Sequence, residues 1–463
     1  MSNKLSSSSD DLLPERKRKR PNAVNSIDDG IEANECIEFY MVSSKDEVDS
    51  PSSFKFVPVD LNAFFEEDGR IHGYQDLKIT VWISSISFRA YADISFKSKL
   101  NRGKGITDLK SAFQSILADN LVEEKDDFLQ TFSTECDYVK SVVSEAEVLP
   151  KNTANGCTGN SSYMKEEPAD VEVFRVKGTE VGHLYCRLVP LVLLLIDGSN
   201  PIDITDPSWE IYITVQKGQQ DSSMKLLGFA AVYRFHKYPD SMRLRLGQIL
   251  ILPPYQRKGY GCTLLKVINN VAISDDIYDL TIEEPVKSLQ HVRTCIDVQR
   301  LLAFEPIHEA LGPIISQLRN GDLSKKSKAH RCGPPANIVE DVRKNLKINK
   351  RQFLQCWEVL IYVSLGAVKK HIENWKTVIS NRVRADVIGK ESEGAGKRLI
   401  DIPTQFDQRM SFAMFKSNGG ESDMLMKDEN QGNIEEELRK LVDERITEIK
   451  AVAKKLSVKN KAK

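Results

Sequence analysis

The residue types and spacing best suited to chemistry lie in Gln256-Arg257-Lys258-Gly259-Tyr260-Gly261, which follows an apolar run and a Pro-Pro turn and leads straight into helical sequence. Glycines without a Cβ let backbone approach a phosphate closely. The first N–H groups of the following helix lack intrahelical acceptors, and its dipole favours an anion by about 0.3–1 kcal/mol. Arg257 and Lys258 add positive charge. The stretch is a candidate pyrophosphate cradle, and its spacing taken alone also fits a plain strand–turn–helix connection. Further on, Glu283-Glu284-Pro285 closes a short strand. Paired carboxylates can move protons, and they can equally complement the dipole of a helix beginning at Pro285.

Other chemistries lose ground. Gly394-Ala395-Gly396-Lys397-Arg398 lacks the leading glycine and the hydroxyl residue of a phosphate-binding Walker loop, and no GxGxxG opens a βαβ unit. The 8 cysteines never form CxxC and the 7 histidines never pair at ligand spacing, so no metal is expected. Cys262, at the helix start, reads as a small packing residue rather than a nucleophile. Lys plus Arg (65) nearly balances Asp plus Glu (66), leaving −1, so no whole-molecule field exists to hold DNA and no direct DNA binding is expected. The longest apolar run, Leu188 to Ile196, is interrupted by Pro190 and falls far short of the roughly 20 residues of a membrane span. The N-terminus has no apolar core of the secretory kind, which predicts free thiols and a nuclear and cytoplasmic chain; Arg16-Lys17-Arg18-Lys19-Arg20-Pro21 suits an import receptor.

The elements that must position these groups are legible in outline. Residues 1–34 are serine- and charge-rich and read as a disordered tail. Residues 35–170 form a β-rich N-terminal domain, with Leu77, Ile79, Val81 and Ile83 alternating. It ends in an acidic stretch (Asp119 to Glu147, nine acidic residues against two lysines) and a low-complexity linker. Residues 171–305 read as an α/β core. An apolar segment (Leu184 to Ile196) precedes strands at Trp209 to Val215, Leu227 to Tyr233 and Leu246 to Leu252. A helix from Cys262, a strand from Ile277 to Ile282 and a helix from Pro285 follow. Residues 306–388 are helical, and 389–463 form a polar tail ending in an amphipathic helix (Ile434, Leu438, Leu441, Ile449, Val452, Leu456) that is either a docking element or a marginal helix.

The loop resembles the acyl-CoA site of the GNAT superfamily of N-acetyltransferases, Gln/Arg-x-x-Gly-x-Gly/Ala, met by Gln256, Gly259 and Gly261. At family level the chain resembles the catalytic subunit of type B histone acetyltransferase. The likeness rests on Glu283-Glu284-Pro285-x-Lys287-Ser288, the Trp209 strand, Tyr233-x-Phe235 before Tyr238-Pro239-Asp240, Gly73-Tyr74-x-x-Leu77-Lys78-Ile79, and Lys347-Ile348-Asn349-Lys350-x-Gln352-Phe353. It spans about residues 35 to 365.

The resemblance implies a GNAT acyl-CoA N-acyltransferase core with a splayed central mixed sheet, flanked by the β-rich and helical domains. It implies acetyl-CoA as co-substrate, its pantetheine along the backbone of Ile249, Leu250 and Ile251, its pyrophosphate wrapped by Tyr255, Gln256, Arg257, Lys258, Gly259, Tyr260, Gly261 and Cys262, and a contact from Ser288. Glu283 becomes the general base, raised toward neutrality by desolvation and by Glu284, with Asp197 in the same carboxylate cluster. The implied substrate is a lysine in the N-terminal tail of free, newly made histone H-four. Candidate contacts are Glu66, Glu67 and Asp68, with Trp209, Tyr233, Arg234 and Phe235. A WD-repeat histone-binding chaperone is the implied partner. Competing readings are a GNAT enzyme for another protein or small-molecule amine, and a non-catalytic histone-binding scaffold; the intact loop and carboxylates disfavour the scaffold.

Overall fold

The computed structural model describes residues 30–65, 68–100, 105–150, 170–177, 179–218, 223–320, 332–366, 368–388 and 424–460. The basic cluster at 16–21, Glu66, Glu67, the linker at 151–169 and the polar stretch at 389–423 lie outside them. The chain divides into two compact units. Among the described residues no helix is long and apolar enough to cross a membrane, and all seven cysteines are free.

The first unit comprises residues up to Ser84, Phe88–Phe132 and Leu193–Gly198. Its strands are β1 (Ile31–Glu32), β2 (Ile37–Val42), β3 (Phe54–Phe56), β4 (Arg70–Ile71), β5 (Tyr74–Gln75), β6 (Lys78–Ser84), β7 (Ala90–Ser95) and β8 (Ser98–Lys99). The main sheet has the order β3-β2-β6-β7, with β2 and β6 parallel. The alternation read in the sequence buries Ile79, Val81 and Ile83, each 1% exposed or less. On the other face Trp82 is covered by Phe128. The last residues of the tail predicted over 1–34 are structured: Ile31 and Glu32 pair with Ile71 and Arg70, and the buried Ala33 opens the helix α1 (Ala33–Cys36). Helix α2 (Leu109–Leu117) is capped by Asp108, whose side chain accepts from the N–H of Ser111.

The second unit contains a six-stranded sheet in the order β14-β13-β12-β11-β10-β9. These strands are β9 (Glu147–Leu149), β10 (Val171–Val176), β11 (Trp209–Lys217), β12 (Met224–Lys237), β13 (Ser241–Ile251) and β14 (Leu280–Ile282). All neighbours are antiparallel except β13 and β14. The sheet thus takes in β9, which precedes the linker, because Val173 pairs with the buried Leu149. The acidic stretch is largely helical, in α3 (Lys125–Thr134) and α4 (Tyr138–Val143). Several of its carboxylates are already paired: Glu123 with Lys110, Glu135 with Arg187, Glu147 with Arg175.

The apolar segment before β11 is the helix α5 (Thr179–Leu195), which continues through Pro190. Helix α6 (Tyr260–Ser274) lies on one face of the sheet, where Leu264, Leu265, Ile268 and Ala272, on one face of the helix, meet Tyr212, Ala230, Val232, Leu244 and Leu246. Each of these side chains is 1% exposed or less, and burial of each large one stabilises by roughly 1.5–3 kcal/mol. Helices α7 (Lys287–Leu302), α8 (Glu305–Asn320), α9 (Ala336–Leu346), α10 (Lys350–Leu365), α11 (Lys369–Ile388) and α12 (Met424–Asn460) complete the unit around a second core. Helix α12 is neither a free docking element nor a marginal helix: Leu438, Ile446, Ile449 and Val452 are buried in that core. Arg445 reaches Glu358 of α10 at 2.9 Å, and Leu441, read as part of the stripe, is instead 43% exposed.

Candidate active site

Strands β13 and β14 pair at Leu244↔Leu280, Arg245↔Thr281 and Leu246↔Ile282. The last bond between them runs from the N–H of Glu283 to the carbonyl of Leu246, at 3.0 Å. Beyond it β13 continues to Ile251 held by β12 alone, with Gln248↔Ala231 and Ile251↔Gly228 as its pairs. The far edge of β13 from Gly247 onward therefore presents peptide groups without a partner strand among the described residues. The cause lies in the register: Ala231 faces Gln248 and Val232 faces Leu246, so Gly247 is an inserted residue. Such a bulge bends its strand and deepens the local twist. A Cβ at Gly228 would stand 2.6 Å from the carbonyl oxygen of Leu250, a close approach that requires glycine, and one at Gly247 would stand 3.2 Å from Trp209 Cη2, tight enough to press on the ring. Strand β14 stops at once, since Glu284 has φ +32° and Pro285 has no N–H to continue the ladder.

The loop after β13 makes a 3-10 turn at Pro253–Tyr255 and then takes two left-handed residues, Arg257 at φ +64° and Gly259 at φ +101°. Gly259 is the N-cap of α6, and its carbonyl accepts from the N–H groups of Cys262 (2.9 Å) and Thr263 (3.1 Å). The N–H groups of Tyr260 and Gly261 have no acceptor within the helix, which makes this end an anion site. Gln256 Nε2 donates to the carbonyl of Ile251 at 3.0 Å and ties the loop to the strand end. A Cβ on Gly261 would lie 3.4 Å from Ile251 Cγ1, so a larger side chain there would press on the strand. Arg257 and Lys258 are exposed, with Lys258 Nζ 5.6 Å from the Tyr255 ring. An unpaired strand edge leading to helix-start amides, crossed by glycine, fits an extended amide-bearing arm that ends in a pyrophosphate.

Glu283 and Glu284 are both exposed at the end of β14. The desolvation expected for Glu283 is therefore not supplied by the described residues, among which nothing packs over the carboxylates where the sheet ends. Ser288 is the second residue of α7 and exposed; the N-cap is Val286, with no side-chain cap bond, so Ser288 does not cap the helix. Cys262 is partly buried against the core under α6. Asp197 is exposed and belongs to the first unit. So does Asp68, whose Oδ2 lies 2.8 Å from His72 Nε2, a bond that holds its carboxyl below the usual range.

The aromatic residues do come together. The rings of Trp209 and Tyr233 meet edge to face at 5.0 Å, and Tyr233 stacks on Phe235 at 6.1 Å. The Tyr233 hydroxyl donates to Asp206 Oδ2 at 2.7 Å, which raises the tyrosine pKa. Arg234 is not with them. Neighbours along a strand face opposite ways, and Arg234 bonds to Glu210 (3.2 Å) and Asp275 (2.7 Å) instead. Burial works against the Asp275 carboxylate, yet Arg234 and Arg175 outweigh it and lower its pKa.

Gln248 escaped the sequence reading. Its carbonyl accepts from Tyr185 Oη (2.8 Å), and its Nε2 donates to Ser199 Oγ (2.8 Å) and the carbonyl of Asn200 (2.7 Å), fastening the segment after α5 to β13 beside the bulge. The signal was the Gly-Gln pair breaking an otherwise apolar strand.

A mixed sheet that parts beside a bulged strand, whose end passes through a glycine loop into a helix, defines the core of a GNAT acetyltransferase. Residues 30–197 match the family described as histone acetyl transferase HAT1 N-terminus. A histone acetyltransferase type B catalytic subunit of Arabidopsis thaliana is 49% identical over 449 residues, covering 96% of this chain and 96% of that protein. One of Zea mays is 44% identical, covering 96% of this chain and 95% of that protein. Among solved structures, a probable acetyltransferase is similar at 14% identity with a TM-score of 0.22, over 27% of this chain and 87% of that chain. The chain belongs to the family of histone acetyltransferase type B catalytic subunits, and is an acyltransferase that uses acetyl-CoA.

Proposed function

We propose that the chain acetylates lysine side chains in the N-terminal tail of free, newly made histone H-four, by direct attack of the lysine amine and with Glu283 as general base. The carrying observation is the parting of the sheet after Leu246 and Glu283, which sets a carboxylate at the mouth of a gap lined by the open edge of β13. Acetyl-CoA, when bound, supplies an activated acetyl thioester. The backbone of Ile249, Leu250 and Ile251 takes its pantetheine as an added strand, the amides from Tyr255 to Cys262 hold its pyrophosphate, and Ser288 contacts it.

A lysine with an ordinary pKa near 10.4 is neutral about once in a thousand molecules at neutral pH, so proton removal is essential. Glu283 takes that proton directly or through a water, with Glu284 beside it; a role for Asp197 rests on the family resemblance alone. Because Glu283 is exposed, the substrate tail and the bound co-substrate must cover it to make it a stronger base. An N–H of β13 near Ile251 holds the carbonyl oxygen as charge develops on it. Trp209, Tyr233 and Phe235 contact the basic tail, and a contact from Glu66, Glu67 and Asp68 rests on their charge alone; Arg234, turned to the other face, only braces the strand. A WD-repeat histone-binding chaperone as partner rests on the family resemblance, and location in nucleus and cytoplasm on the basic cluster at 16–21.

The test is to incubate the purified chain with labelled acetyl-CoA, free histones and assembled nucleosomes. Label should enter free histone H-four preferentially. Equal labelling of nucleosomes, or none of the histones, would overturn the substrate assignment.

A further inference from the structure

At the opposite end of β13 from the glycine loop, a cavity of about 330 Å³ is lined by Arg243, Tyr278, Asp279, Arg343, Lys350 and Arg351, among others. Two of its cations are fixed. Arg243 forks onto Asp279, which is 3% exposed, with one arm at 2.9 Å. Arg343 lies 3.9 Å over the Tyr278 ring, donates to the Tyr278 carbonyl at 3.0 Å, and is paired to Glu340. The other two, Lys350 and Arg351, are exposed and make no ion pair among the described residues.

Their position is electrostatically odd. They open α10, whose first turn holds no acidic residue, although the start of a helix repels cations. Asn349 satisfies the N–H of Gln352 with its side chain (3.0 Å) and that of Phe353 with its carbonyl (2.9 Å). The N–H groups of Lys350 and Arg351 are left without an intrahelical acceptor. Positive side chains from three elements and two helix-start amides thus converge on one concavity that no catalytic step uses. This region includes the Lys347 to Phe353 motif, for which acetyl transfer gives no role.

We infer that this cavity binds a phosphate monoester group. A compact dianion fits better than an extended polyanion, because the cations surround a hollow and the chain as a whole carries only −1. Arg243 precedes Leu246, the last residue of β13 paired to β14, by three residues or about 10 Å, and Ile251 by eight or roughly 27 Å, so the cavity lies on the paired side of the sheet's parting and is distinct from the pyrophosphate cradle.

The test saturates the full chain with coenzyme A, to fill the loop, and titrates in O-phosphoserine, inorganic phosphate, a phosphoserine peptide and a short DNA duplex by calorimetry. The comparison is the double variant Lys350→Glu, Arg351→Glu, which should fold because glutamate suits a helix start. Its thermal midpoint and histone acetylation should match the parent chain. Saturable one-site phosphate binding, at least tenfold weaker in the variant, is the expected result. Preference for the peptide over the free anions identifies a phosphorylated protein as the source, and equal binding identifies a small phosphate ester. Absence of saturable binding, equal binding to the variant, or preference for the duplex would overturn the assignment.

Discussion

Glu283 stands where the last hydrogen bond between β13 and β14 is made, its N–H engaged by Leu246 and its side chain exposed. Replacement by glutamine keeps size and hydrogen bonding but removes the proton acceptor. Turnover should fall by about 10²- to 10⁴-fold, while the dissociation constant for acetyl-CoA stays within about twofold; steady-state kinetics with calorimetry check both. Loss of cofactor affinity in step with turnover would mean that the carboxylate binds rather than catalyses. At this scale the sequence was informative wherever residue type alone implied chemistry. Gln256, Gly259 and Gly261 do lie in the loop that opens α6, and Glu283 and Glu284 do close β14. It was uninformative where side-chain direction mattered. Arg234 follows Tyr233 in the chain yet faces Glu210 and Asp275, and Gln248 acquires its role only through partners more than forty residues away.

The loop and the bulge are what make the gap. Gly259 has φ +101°, a conformation costly for a residue bearing Cβ, by roughly 1–2 kcal/mol. Gly261 sits against Ile251. Valine at Gly259 or leucine at Gly261 should weaken acetyl-CoA binding by tenfold or more, before affinity for a histone tail peptide changes; unchanged cofactor affinity would reduce the loop to a connection. Periodicity located the strands but not their ends. Residues Ile277 to Ile282 read as one strand; the N–H of Ile277 is drawn back to the carbonyl of Ala272 in the turn after α6, bonds to β13 begin with the N–H of Tyr278 to the carbonyl of Met242 at 2.7 Å, and the regular ladder of β14 runs from Leu280 to Ile282. The apolar run before β11 proved helical, since an apolar run that crosses a proline carries no decisive period. The bulge at Gly247 was hidden because register is a property of two strands.

For the whole molecule, the order of β-rich, α/β and helical regions was readable from changes in period along the chain. The place of α12 was not, because its stripe is covered by helices distant in sequence. Burial of Leu438, Ile446, Ile449 and Val452 contributes roughly 6–12 kcal/mol, comparable to the ~5–15 kcal/mol by which whole domains are stable. Deleting residues 424–463 should therefore abolish cooperative thermal unfolding of the helical region or leave the chain insoluble; a deletion that melts like the full chain would show the helix to be dispensable. The central claim is that a thioester carrier lies along the open edge of β13 with its diphosphate at the start of α6. A crystal structure with coenzyme A bound tests it most directly. The account predicts pantetheine hydrogen-bonded to the backbone at 249–251 and phosphate oxygens on the amides at 259–262. A closed gap, or coenzyme A bound elsewhere, would contradict it.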